Sequence, residues 1–262
     1  MDPHSWSLHW DVLLAIGILA AGYFWSQRRW PADATRRVAF DLAVILLLAV
    51  YVTPLHTIAL HYLLSVHLLQ NVVTAEWAPG LVVFALAPAL ARELERYAAV
   101  RVVTHPFVAL PLWLGTYFLW HVPPIYDAAL EQSGWLLNLE HLTYFVAGAL
   151  MWWPVVHGRY SDGVKALYLF GAFVLAAPLG LLLALLPRPI YDFYKDAPQL
   201  WGLSDSTDQQ IAGVTMAVEQ AIVFFAVLIS IVLLRRSERI GPRLLLAAAL
   251  VVGGGALISS FR

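Results

Sequence analysis

Polar and charged positions bracket a series of apolar runs along this chain. The runs extend from about Leu8 to Trp25, Val38 to Val52, Phe107 to His121, Leu139 to Val156, Ala166 to Leu186, Ile211 to Leu234 and Leu244 to Ser259. Most approach the ~20 apolar residues that an α-helix needs to cross a bilayer. Residues 55–91 form one longer apolar stretch, too long for a simple span. Pro79-Gly80 and Pro88 interrupt it, which predicts a kinked helix or a half-helix plus a full span. The pattern predicts an all-α integral membrane protein, a polytopic bundle of about seven to eight transmembrane helices. Neither an internal repeat nor a low-complexity linker divides the chain, so residues 1–262 are expected to form a single transmembrane helical domain.

Basic residues orient this bundle. Arg28, Arg29, Arg36 and Arg37 follow the first run, and Arg92, Arg96 and Arg101 follow the long stretch. Arg159 and Lys165 come next, then Arg235, Arg236, Arg239 and Arg243. These are 13 of the 16 Lys and Arg residues, and they fall on one side. The positive-inside rule puts that side in the cytoplasm and both termini outside. Met1 to Asp11 lacks a basic run and leads to no small-residue cleavage pattern, so the first helix is expected to stay in the mature protein.

Composition agrees with that picture. Apolar residues make up 61% of the chain, charged residues 13%, and mean hydropathy is +0.72. A soluble surface needs more charge than this. The net charge of −1 gives no basic field for nucleic acid. Cysteine is absent, which excludes disulfides, thiolate metal sites and thiol redox chemistry. The 11 Trp and 11 Tyr suit interfacial belts in contact with membrane lipid.

The orientation sorts the chemistry. Seven of the nine histidines fall at or below the expected outer face, together with Asp127, Glu131, Glu140, Asp205 and Asp208. His67 lies inside the apolar stretch with Gln70, Asn71 and Thr74 following on its face, a polar stripe that lipid would penalise. It reads either as an interhelical hydrogen-bond cluster or as a ligand or proton-handling group. His121, at a helix end beside Pro123 and Pro124, and His141, after Glu140, read equally as helix-end residues. Asp208 fits an N-cap, and Met216 alone fits core packing. Glu219 lies ~16 Å below Asp208 on the same helix, near the bilayer midplane, where an ionisable group is a functional-site hypothesis. Gln220 accompanies it. No nucleotide-binding loop, haem-attachment motif or nucleophile constellation is present, so an enzyme is not expected.

Several short motifs then occur in order. They are Ser65-Val66-His67-Leu68-Leu69-Gln70 leading to Trp77-Ala78-Pro79, and Trp120-His121-Val122-Pro123-Pro124-Ile125-Tyr126-Asp127-Ala128-Ala129-Leu130. Leu139-Glu140-His141, Met151-Trp152-Trp153-Pro154 and Pro189-Ile190-Tyr191-Asp192-Phe193-Tyr194 follow, and then Asp208-Gln209-Gln210-Ile211-Ala212-Gly213-Val214-Thr215-Met216. This order resembles the CtaG family of cytochrome c oxidase assembly factors, found with bacterial caa-type oxidases. The resemblance covers about residues 40–235 and leaves 244–259 as an extra C-terminal helix. It implies a bacterial plasma-membrane protein that helps copper reach the CuB centre of oxidase subunit I from the outer, periplasmic side. It implies His67, His121, His141, Asp208 and Met216 as ligand or relay residues, with Asp127 and Gln209 as their hydrogen-bonding partners. Imidazole and thioether both suit copper.

Departures from the family are specific. A second histidine usually follows the first by four residues, and Asn71 stands there. Leu68 and Val72 replace methionines, and Ala217-Val218-Glu219-Gln220 replaces a Trp and Pro-Gly continuation. The leading expectation is copper delivery. The alternatives are a metal-free structural subunit or scaffold of a respiratory complex, bound to subunit I or other respiratory subunits, and a proton- or metal-conducting protein that uses Glu219.

Overall fold

Proline and short polar residues cut the apolar runs into helices. The computed structural model describes residues 2–131 and 134–234, and among them every regular element is helical. Helix α1 spans Trp10–Gln27 and α2 Ala34–Val52, the latter capped by Asp33, which accepts from the Arg36 amide. Thr53 caps α3 (Pro54–His61), with Pro54 in the first turn, where its missing N–H costs nothing. Next comes α4 (Leu64–Val72), which runs through a π-helical turn, Val73–Trp77, into α5 (Ala78–Ala85). Pro79 has no N–H to donate, and the backbone widens just before it.

Two short helices, α6 (Pro88–Leu94) and α7 (Ala98–Val103), lead to α8 (Pro106–Trp120) and α9 (Pro123–Glu131). The long helices α10 (Gly134–Val156) and α11 (Asp162–Leu185) follow. A four-residue turn of helix, α12 (Asp192–Lys195), precedes α13 (Asp205–Leu234).

Three of these helical stretches are long and apolar enough to cross a membrane: Leu64–Ala85, Asp162–Leu185 and Asp205–Ile231. A fourth is reached if α2 and α3, bent by 53°, count as one broken span. Among the described residues, length and hydropathy thus mark up to four of the expected seven to eight. Helix α8 is short, and α10 carries Asn138, Glu140, His141 and Thr143 in its first half. The stretch 55–91 resolves into the short bent helix α3, one continuous span through the π turn, and the separate α6. The expected last helix at 244–259 and the basic residues from Arg235 onward lie outside the described residues.

The Leu64–Ala85 span is the centre of the bundle, with 78% of it buried, against 39% and 22% for the spans in α11 and α13. Leucine, isoleucine, valine and phenylalanine side chains on the outer helices, such as Ile18, Ile45, Leu182 and Ile229, remain exposed and fit a lipid environment. The most extensive helix contact is α11 against α13. Small residues allow it: a Cβ on Gly213 would strike backbone of Gly180 and Ala184, and one on Gly180 would meet Ala217.

Arg36 closes one end of the bundle, donating to the carbonyls of Phe84 and Leu86 at the end of α5. The basic residues Arg92, Arg96, Arg101 and Arg159 gather at a cavity of about 940 Å³ that Trp30 and Tyr160 also line. Nearby, His157 follows α10 and donates from Nε2 to the Val83 carbonyl at 2.8 Å. Burial holds its pKa below the ordinary 6.5. An unfolded chain then takes up the proton first, so stability is full above about pH 6.5 and falls on acidification. The thermal transition is expected to drop between pH ~7.5 and ~5.5, and H157Q to flatten that slope.

Candidate functional site

The histidine-rich end is built around His67 on α4, which is 0% exposed. Its Nδ1 lies 2.9 Å from the Tyr194 hydroxyl and 2.8 Å from that of Tyr126. The single Tyr194 proton goes to the Ala59 carbonyl at 2.6 Å, so toward His67 this hydroxyl accepts. The Tyr126 hydroxyl can donate or accept there, and the tautomer that suits Tyr194 has the proton on Nδ1 and the lone pair on Nε2. His121, at the end of α8, has Nδ1 2.7 Å from the Tyr117 carbonyl oxygen, which can only accept. The same tautomer results. Nε2 of His67, of His121 and of His141 on α10 is in each case buried with no hydrogen-bond partner. A ring N–H held by an oxygen with the opposite nitrogen free is the arrangement that metal-binding histidines use.

The rings of His67 and His141 lie 6.4 Å apart. Tyr126 neighbours both His67, at 5.3 Å, and His121, at 6.2 Å. From His141 the series continues outward through Tyr51, at 5.0 Å, to His56, 5.7 Å further, and on to His9, 5.0 Å from His56. His9 is exposed and precedes α1. A ladder of imidazoles and phenols thus runs from the surface into the bundle. Gln70 reaches the His56 Nδ1 at 3.0 Å, and Asn71 donates to the buried Glu140 at 3.0 Å. Two of the three residues of the polar stripe after His67 thus hold its surroundings in place.

The other expected site residues make hydrogen bonds and packing contacts of their own. Asp208 accepts from the amides of Leu64, at 2.7 Å, and Ser65, at 3.2 Å, and from the Ser65 hydroxyl. It caps α4 from across the bundle, with its oxygens turned to these donors. Gln209 accepts from the Ile190 amide and donates to the Arg188 carbonyl, fixing the segment between α11 and α12. Asp127 accepts from the amides of Asp192 and Phe193 and so starts α12, which carries Tyr194. Met216 is 1% exposed in an apolar cluster with Trp113 and Met151. Among the described residues, no group of three or more His, Asp or Glu is arranged to hold a metal ion.

A model of the family described as cytochrome c oxidase caa3 assembly factor (Caa3_CtaG) matches residues 18–237. The chain belongs to this family. The match runs from α1 through α13 and begins earlier than the motifs alone indicate. Comparison with curated proteins and with solved structures gives no match. Membership ties this caa3 assembly factor to the making of cytochrome c oxidase.

Two residues of this assembly factor carry more than the sequence signalled. His56 joins the ladder on α3, which is bent by 53° from α2, a bend invisible to hydropathy. Glu76, in the π turn, is 1% exposed and faces Glu219, 7% exposed. A carboxylate inside the apolar stretch 55–91 was the available signal for it. Glu219 accepts from the Trp77 indole at 2.6 Å, and the Gln220 amide donates to Glu76 at 2.8 Å.

Proposed function

We propose that this caa3 assembly factor holds copper on its buried histidines and passes it toward the CuB site of oxidase subunit I. The acting end faces the outside of a bacterial plasma membrane, with both termini on that side, and no covalent chemistry is catalysed. One observation carries this reading: His67 and His121 each have Nδ1 engaged by oxygen atoms and a buried, unpartnered Nε2. The third free Nε2, on His141, lies beside His67. Imidazole nitrogen suits copper. A small ligand set also suits cargo, since an ion held by few groups can be released to a richer site. The ladder from His9 through His56 and Tyr51 offers a way in.

A second reading, a metal-free scaffold for the oxidase, is favoured by Asn71. Its amide is bound to Glu140, where the family usually has a second histidine. Metal analysis separates the two. Protein reconstituted with Cu(I), then freed of excess, is expected to retain about one copper per chain, with retention about tenfold lower in H67A and in H121A. Copper well below one per chain, unchanged by either substitution, would leave the scaffold.

A further inference from the structure

We propose that Glu76 and Glu219 form a proton-binding site inside the bundle, with one proton held between the two carboxyl groups. The pair is made by two elements, the π turn in the central span and the middle of α13. Each carboxyl has one oxygen committed to a neutral donor: Glu76 Oε1 to the Gln220 amide, Glu219 Oε2 to the Trp77 indole. The other two oxygens, Glu76 Oε2 and Glu219 Oε1, are buried and have no N–H or O–H donor. The two side chains lie within hydrogen-bonding reach of each other. Ionised carboxylates only accept, so this contact exists as a hydrogen bond when one of the two carries a proton. Two full negative charges at that distance in a site of low dielectric strongly disfavour each other.

The lining points to the same occupant. Neither carboxyl has a Lys or Arg among its hydrogen-bond or electrostatic partners in the described residues. The groups facing the pair are neutral: Trp77 beside Glu76, Gln220 on α13, and Tyr117 on α8. The Tyr117 hydroxyl, 3% exposed, lies against the Gln220 amide, 1% exposed. Trp152 of α10 donates to the Glu76 carbonyl at 2.8 Å and fixes the turn that aims the acid. The site uses none of the histidines, and it stands or falls independently of copper.

Dicyclohexylcarbodiimide, an apolar reagent for protonated carboxyls, tests it on the full chain in lipid nanodiscs near neutral pH. Peptide mass spectrometry is expected to find one adduct per chain, on Glu76 or Glu219. The E76Q/E219Q double variant should lose it. In E76Q or E219Q alone the new amide donates to the remaining carboxylate in place of the proton, and labelling is expected to fall about tenfold. No adduct on the wild-type pair, two adducts per chain, or single variants labelled as strongly as wild type would each overturn the proposal. Suppression of wild-type labelling by sodium ions at constant pH would overturn the proton as occupant. The wild-type readings need no variant to fold, and gel filtration establishes that each variant does.

Discussion

Replacement of Gly148 by valine is expected to remove most of the folded protein. A Cβ at this position of α10 runs into the carbonyl of Ala75 and into the Pro79 ring, 2.8 Å away. The first is backbone of the π turn and the second is locked in the central span, so neither can swing aside. Overpacking against such neighbours costs about 3 kcal/mol or more, a large share of any domain's stability. The thermal transition in detergent should fall by roughly 6–12 °C, or folded protein should vanish from gel filtration. G17A is the control, because nothing lies within 4 Å of the added carbon on exposed α1, and its transition should stay where it is or rise slightly.

Asp208→Ala is expected to destabilise the protein by about 3 kcal/mol and to reduce copper retention as well. The carboxylate satisfies three donors at the start of α4, and its loss leaves two backbone amides and the Ser65 hydroxyl without that acceptor. His67 lies one turn further along the same helix, so fraying there would disturb its bonds to Tyr126 and Tyr194. Asp208→Asn separates a cap from a ligand. An amide oxygen still accepts from the helix end, so most stability and copper retention should return. Equal loss in both variants, without change in the thermal transition, would make Asp208 a ligand.

Hydropathy located the major helices but misjudged where they begin. The apolar run after residue 160 starts at Ala166, whereas α11 starts at Asp162 behind the Ser161 cap. The run from Ile211 belongs to a helix that starts at Asp205. Polar first turns satisfy the exposed amides of a helix and are invisible to an apolar average. The short helices α9 and α12 fell below its reach altogether. At the site, His67 and His121 were legible because each sits beside distinctive neighbours in sequence. The partners that make them usable were not. Tyr194 reaches His67 across 127 positions, and Tyr126 stands near both histidines through the α8–α9 turn. The role of Asp208 was likewise half visible: capping fitted its chemistry, but the capped helix is α4 rather than its own.

The π turn has a consequence for descent. Such a turn holds one residue more than a regular helix would over the same rise, and loss of one residue between Val73 and Trp77 would restore the regular pitch. Because the turn absorbs the extra residue, the helical segments on either side would keep their orientation toward one another. The acid on the central span is thus tied to a single insertion. Descendants could acquire or discard it in one genetic step while the flanking α4 and α5 kept their own sequences.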